Sequence, residues 1–410
     1  EVTSIGSKAF QNNTAICYVR MNSNVTSIGE YAFSGCTNLI TIDMPDSITS
    51  IGSYAFQNCS RLSSIKVPEP IKTINSYTWS GCSSAVSLDM SNNVVTVSYS
   101  AFANCSNLSS VKLSKSLETL SYEAFYDCDK ITEIEIPKSL TDGGEYGGIA
   151  GGAFNKCSGL KKVTFEKGTT RVAKYLFANC DGLEEIVLPD TITSIGENAF
   201  YMYNGSDYAS SSNLKTVTFS ENLVFIGKYA FYNCRKLTSV ELPEYLETIG
   251  GYSFASSGIE SLNMPDNVVT VSYSAFASCS NLSSVKLSKS LETLSYEAFY
   301  DCDKITEIEI PKSLTDGGEY GGIAGGAFNK CSGLKKVTFE KGTTRVAKYL
   351  FANCDGLEEI VLPDTITSIG ENAFYMYNGS DYANSSNLKT VTFSENLVSI
   401  GNYAFYNCRK

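Results

Sequence analysis

One aromatic residue returns along this chain at a nearly fixed stride, from Phe10, Phe33 and Phe56 through Trp79 and Phe102 to Phe374 and Phe405. The stride is 23 residues, with one exception of 22, two of 29 and two of 31. A period of this size marks stacked supersecondary units, none of which can bury its own apolar face alone. Insertions then enter as loops, and the unit itself is kept. The array also explains how 410 residues can form one domain, well beyond the size at which an ordinary single core stops growing.

One unit reads Leu39-x-x-Ile42-x-Met44-Pro45-x-x-Ile48-x-x-Ile51-Gly52-x-x-Ala55-Phe56-x-x-Cys59. Leu39, Ile42 and Met44 predict a strand of five or six residues. It should end at Pro45, which has no amide for a ladder. Ile48, Ile51 and Gly52 give a second short extended stretch. Ala55-Phe56 has helix-like local spacing with room for a turn or two only. Parallel stacking of about seventeen such coils would set each aromatic on the next. Thr41 and Asp43, Ser64 and Lys66, and their equivalents should be exposed on the strand face. The expected fold is a β-rich α/β solenoid: a right-handed superhelix with a concave parallel sheet and short turns or 3-10 helices opposite.

Written out, the motif Leu-x-x-Ile-x-Leu-Pro, Ile-Gly, Ala-Phe-x-x-Cys resembles the BspA-like subclass of leucine-rich-repeat proteins over essentially the whole chain. That resemblance implies a surface-exposed or secreted protein of a host-associated microbe, implicated in adhesion to host proteins or other cells. The first and last residues fall inside repeats, so the expectation is a single solenoid, 1–410, cut from a longer chain whose signal and anchor lie outside it.

Composition narrows the function. A net charge of -11 and a pI near 4.8 argue against nucleic acid, whose binding needs Lys and Arg to displace counterions. No run approaches the roughly 18 apolar residues of a membrane span, so no direct membrane insertion is expected. The chain has no histidine, and with it goes the commonest general base and zinc ligand. Glu133 and Glu135 share one side of a strand at roughly 6.7 Å, a spacing that overlaps inverting glycosidases. An open strand face, however, offers no pocket that excludes water. The glycine-rich stretch 142–152 fits neither G-x-G-x-x-G nor the P-loop, and G-x-S-x-G is absent. Neither an enzyme nor a cofactor or metal is expected.

Thirteen of the fourteen cysteines lie three residues after the aromatic, and Cys17 is displaced. Equivalent side chains on neighbouring coils point in parallel, which disfavours the disulfide dihedral. Buried free thiols are the expectation, ahead of disulfides or metal, and Ser257 fills the same place. Free thiols suit a reducing setting. That keeps an intracellular scaffold as the alternative, with a passive spacer as a third reading.

Residues 94–236 recur as 268–410 with four changes, Asn104/Ser278, Ser210/Asn384, Phe225/Ser399 and Lys228/Asn402. Recent recombination explains such a copy, and bivalent binding is its functional reading. Each copy carries a tyrosine-rich insertion with the Tyr, Gly, Ser and Asn composition of binding loops. Tyr201, Tyr203 and Tyr208, with Tyr375, Tyr377 and Tyr382 in the second copy, are the candidate partner-binding residues, for a protein or glycan ligand.

Overall fold

A computed structural model describes residues 2–143, 152–202, 213–315, 317, 326–376 and 387–408. They fall into two compact units, Glu1–Thr191 with Asn198–Leu214, and Ile192–Glu197 with Lys215–Lys410. In both units the coil carries a longer and a shorter strand, and equivalent strands pair in parallel one coil apart. In the first unit Tyr18, Val19 and Arg20 face Thr41, Ile42 and Asp43, and Ser27–Ile28 faces Ser50–Ile51. In the second, Ser261–Asn263 faces Ser284–Lys286, and Phe225, Thr248, Thr270 and Thr293 follow one another across the short ladder.

The longer strands span three residues, as in Thr41–Asp43, or four, as in Glu133–Ile136, and fall short of the expected five or six. Turns at both ends are the reason: the Leu39 amide donates to the Cys36 carbonyl at 3.0 Å before the strand, and the Ile48 amide to the Pro45 carbonyl at 3.1 Å after it.

No helix occurs among the described residues, so the expected 3-10 helices are replaced by linked turns. Between Gly29 and Cys36 every second amide closes a local turn, Ala32 to Gly29, Ser34 to Tyr31 and Cys36 to Phe33. The amides between them donate to the next coil, Tyr31 to Ser53 at 3.1 Å, Phe33 to Ala55 at 2.8 Å and Gly35 to Gln57 at 2.7 Å. That alternation needs a left-handed residue at the third position of the first and third turns, here Tyr31 (φ 55°) and Gly35 (φ 74°). A helix cannot contain such residues, so Ala-Phe spacing that resembles a helix resolves into turns. Gly52 serves a related need, because a Cβ there would lie 2.5 Å from the Glu30 amide nitrogen of the preceding coil.

The aromatic positions form a stacked spine inside each unit. From Phe10 to Phe200 the ring centroids are 5.0–5.9 Å apart, and from Phe231 to Phe405 again 5.0–5.9 Å. Trp79 follows the same geometry, 5.7 Å from Phe56 and 5.6 Å from Phe102, but its indole N–H is buried without a hydrogen-bond partner. Replacing it by phenylalanine loses packing worth about 1 kcal/mol and removes an orphan donor that costs about 1–3 kcal/mol. Trp79→Phe is therefore expected to match or exceed parental stability in urea unfolding, whereas Trp79→Ala should lose about 3–5 kcal/mol. A loss above about 2 kcal/mol for the phenylalanine variant would mean that the indole is satisfied after all.

Beside the spine runs the cysteine column. Most of its thiols donate to the carbonyl of the spine aromatic one coil back, among them Cys59 to Phe33 at 3.2 Å, Cys105 to Trp79 at 3.3 Å and Cys302 to Phe276 at 3.2 Å. All fourteen cysteines are free; Cys17 and Cys408 are half-buried and the other twelve are buried. Burial holds the column thiols in the protonated form: Cys59, Cys105, Cys180 and Cys354 are pushed up to about 12 and Cys279 to about 11. A thiol-reactive chromogen should accordingly titrate no more than two sites in the native protein and fourteen after denaturation without reductant. A denatured count well below fourteen would reveal disulfides and contradict the column.

Candidate functional site

Side chains on the long strands alternate between the core and solvent, as their two-residue period requires. The outward third positions of the first unit read Arg20, Asp43, Lys66, Asp89, Lys112 and Glu135, a row of alternating sign. Parallel register sets opposite charges side by side: Arg20 and Asp43 approach to 3.3 Å, and Lys112 and Asp89 to 3.2 Å. Exposed pairs of this kind are worth about 0–1 kcal/mol each, and they engage four of the six charges of the row. Glu133 and Glu135 lie exposed on one strand, with Glu133 paired to Lys162 at 3.3 Å. In the second copy the equivalent of Glu135, Glu309, lines a shallow groove with Lys286, Lys289 and Glu340. In the second unit an open groove of about 410 Å³ lies between the strands Lys336–Phe339 and Glu359–Val361, lined in part by Val361 and Pro363. Among the described residues no group of three His, Cys, Asp or Glu is placed to hold a metal, and no helix is long and apolar enough to cross a membrane.

The turn segments carry the tyrosines. A half-buried row runs through the first unit, with Tyr31 and Tyr54 stacked at 4.6 Å, Tyr54 and Tyr77 at 4.7 Å, Tyr77 and Tyr99 edge to face at 5.0 Å, and Tyr99 and Tyr122 stacked at 5.5 Å. The second unit repeats it with Tyr229 on Tyr252 at 4.8 Å and Tyr252 edge to face with Tyr273 at 5.4 Å. Tyr31, Tyr54, Tyr77, Tyr229 and Tyr252 all adopt φ between 54° and 60°, which costs a residue other than glycine about 1–2 kcal/mol. Ring stacking offsets that strain along the row. Burial, with hydrogen bonding to neighbouring hydroxyls, raises the Tyr54 and Tyr77 phenols above their ordinary value.

The sequence reading passed over this row, although a signal was present: a tyrosine two or three residues before twelve of the seventeen spine aromatics. Of the residues it did select, Tyr201 and Tyr375 occupy the position just after the spine aromatic, half-buried. The Tyr201 carbonyl accepts from the Asn179 amide at 2.7 Å, and Tyr375 stacks on Tyr406 at 5.2 Å. Next to them Met202 and Met376 are each 2% exposed. Tyr203, Tyr208, Tyr377 and Tyr382 lie outside the described residues.

A short coil with two parallel strand ladders and a stacked aromatic spine has the architecture of a leucine-rich-repeat protein. The family model for the BspA type leucine rich repeat region matches residues 1–85, 72–206, 203–321 and 319–410, and the chain belongs to that family. Leucine-rich repeats are a general protein-interaction module, and members of this family are typically non-enzymatic. Among solved structures, a leucine-rich repeat protein from Bacteroides ovatus shares the fold, at 24% identity over 95% of this chain and 84% of that one, with a TM-score of 0.53. A leucine rich cell surface protein from Faecalibacterium prausnitzii is 19% identical over 92% and 88% of the two chains (TM-score 0.38). The pneumococcal vaccine antigen PcpA is 17% identical over 96% and 85% (TM-score 0.39). No curated protein matches this chain.

Proposed function

We propose that this chain is a cell-surface or secreted, non-enzymatic adhesion module that binds a protein or glycan ligand through its tyrosine-rich insertions. The observation that carries this reading is the anchoring of both insertions. Each leaves its coil directly after a buried methionine, Met202 or Met376, and a turn-held tyrosine, Tyr201 or Tyr375. A rigid scaffold that launches a loop of Tyr, Gly, Ser and Asn is the arrangement that binding loops favour. The strand face is a weaker candidate, because opposite charges pair across it and, on the described long strands, Tyr18 and Arg20 of one coil are its only outward Trp, Tyr or Arg anchors of the kind typical of hot spots. Tyr201, Tyr203, Tyr208, Tyr375, Tyr377 and Tyr382 are the residues assigned to the contact. Two copies would give avidity toward a repetitive ligand.

Free thiols need not place the protein in a reducing compartment, since thiols that are buried and held protonated are poor nucleophiles. An intracellular scaffold remains the alternative, and a spacer would need nothing from the insertions. The test is binding to a panel of extracellular-matrix and plasma proteins and glycans, beside a variant with both insertions cut back to the 23-residue stride. Binding by the parent and not by the shortened chain supports the reading. Equal binding by both proteins moves the contact to the coil surface, and binding by neither removes the insertions as an adhesion site for those ligands.

A further inference from the structure

The long-strand ladder breaks between Lys336–Phe339 and Glu359–Val361, which pair with Glu307–Ile310 and Thr390–Thr392 on their outer sides and not with each other. In the intact ladder beyond, the Lys389 and Thr390 amides both donate to the Glu358 carbonyl, at 2.8 and 3.3 Å. At the break the corresponding carbonyl, that of Lys335, receives no hydrogen bond among the described residues. The groove of about 410 Å³ opens here, walled by Phe339, Val361 and Pro363, and Val361 is 54% exposed. The break also isolates a charge. Glu307, Lys336 and Glu359 are successive outward residues of one row, and Lys336 turns across the paired ladder to Glu307 at 3.3 Å. Glu359, on the other side of the break, has neither an ion pair nor a side-chain hydrogen bond among the described residues. Lys335, the other cation on the groove, donates to the Gly356 carbonyl at 3.0 Å.

The first unit repeats this arrangement. Lys162–Phe165 and Glu185–Val187 belong to separate sheets, Lys162 pairs with Glu133 at 3.3 Å, and Lys161 donates to the Gly182 carbonyl at 2.9 Å. Glu185 is left without a side-chain partner among the described residues, and Val187 is again 54% exposed. We propose that each of these two breaks receives an arginine side chain of a protein partner. Its guanidinium sits between the Glu359 carboxylate and the Lys335 carbonyl, or Glu185 and Lys161 in the first unit, and its stem lies along Val361 and Pro363, or Val187 and Pro189.

The chemistry left open in the groove selects this occupant. What lacks a partner there is a carboxylate and a carbonyl, both acceptors, beside an apolar wall. A guanidinium carries five donors in a planar fork and no acceptor, and it is more weakly hydrated than an ammonium. Its methylene stem covers apolar surface while the charged head stays at the rim. An acidic group would meet Glu359 on a chain of net charge -11. The shallower groove at Glu309 differs, because Lys286 beside it also has no counter-ion among the described residues, so the free charges there balance. The strand face has few anchors of its own, and these grooves accept the partner's instead, arginine being a frequent hot-spot residue. The proposal does not draw on the tyrosine-rich insertions and stands or falls apart from them.

The test is nuclear magnetic resonance of the whole 410-residue protein labelled at its valine methyl groups, with Val187→Ala and Val361→Ala identifying the two signals. The probe is the peptide acetyl-Gly-Arg-Gly-amide, and acetyl-Gly-Lys-Gly-amide, of equal charge, is the comparison. The arginine peptide should shift the Val187 and Val361 signals to saturation, and the lysine peptide should bind about tenfold more weakly. Glu185→Gln should weaken the response about tenfold at Val187 alone, and Glu359→Gln at Val361 alone. Glu118→Gln combined with Glu292→Gln, which removes two exposed carboxylates elsewhere, should change neither. Valine signals that do not move, an equal response to the two peptides, or a response that survives Glu185→Gln and Glu359→Gln would overturn the proposal.

Discussion

Raising the pH above 9 is expected to unfold this protein cooperatively, with loss of the near-ultraviolet circular dichroism of the spine between about pH 10 and 11. The thiols of the cysteine column have folded values raised from an ordinary 9.0, to about 12 at Cys59, Cys105, Cys180 and Cys354 and well above 9 at Cys82, Cys128 and Cys331. Burial is the first cause at each. The sign follows directly. Below pH 9 folded and unfolded chains both hold the thiol proton, and the contribution to stability is complete. Between 9 and 12 only the unfolded chain gives it up, so stability falls by about 1.4 kcal/mol per thiol for each pH unit. Five such thiols one unit into that window cost about 7 kcal/mol, which rivals the 5–15 kcal/mol that typically separates folded from unfolded chains. Replacing Cys82, Cys105 and Cys128 by serine, the residue already present as Ser257, should move the transition to higher pH. A protein unchanged to pH 11.5, or a transition indifferent to those substitutions, would contradict the account.

Phe102→Ala should destabilise the first unit by about 3–5 kcal/mol. Its ring is fully buried between Trp79 at 5.6 Å and Phe125 at 5.2 Å, and the hydrogen bonds that hold its backbone to Ala124 and to the Cys128 thiol leave the coil little freedom to close the cavity. In a stacked array the damage is local, because each coil touches only its neighbours. Hydrogen exchange should accelerate around residues 79–128, while the copied stretch around Phe276 in the second unit keeps its protection. Phe276→Ala, with rings at 5.4 Å on either side, should give the mirror result. Acceleration spread evenly over both units would rule out coil-by-coil additivity.

The positions that stack or fill the core were legible in the sequence because their spacing is their structure. A side chain that recurs every 23 residues on parallel coils must meet its own equivalent, so the Phe33–Phe56 contact and the Cys59 column could be read directly. The turn segment misled, because Ala-Phe spacing records which residues face inward and says nothing of the sign of φ. Left-handed residues at Tyr31 and Gly35 convert an apparent helical turn into turns that hand every second amide to the next coil. Strand length was overestimated for a similar reason: Leu39 is apolar and in phase, yet its amide closes a turn on Cys36 before the ladder begins. The tyrosine row was missed because its members shift from two to three residues before the aromatic, so no fixed offset collects them. Tyrosines in the insertions drew notice by composition, which marks a binding loop without supplying its geometry.

The alternation of amide partners in the turns also sets how the coils respond to force. Bonds such as Phe33 to Ala55 and Gly35 to Gln57 run from coil to coil. A pull along the stacking direction therefore loads many of them together, whereas a pull that lifts the chain sideways meets them one after another. Tension on one terminus should consequently detach the protein coil by coil, each 23-residue unit releasing about 80 Å of extended chain. A protein built this way lengthens under load in small steps and dissipates work at each, and an anchored copy could yield to shear without letting go.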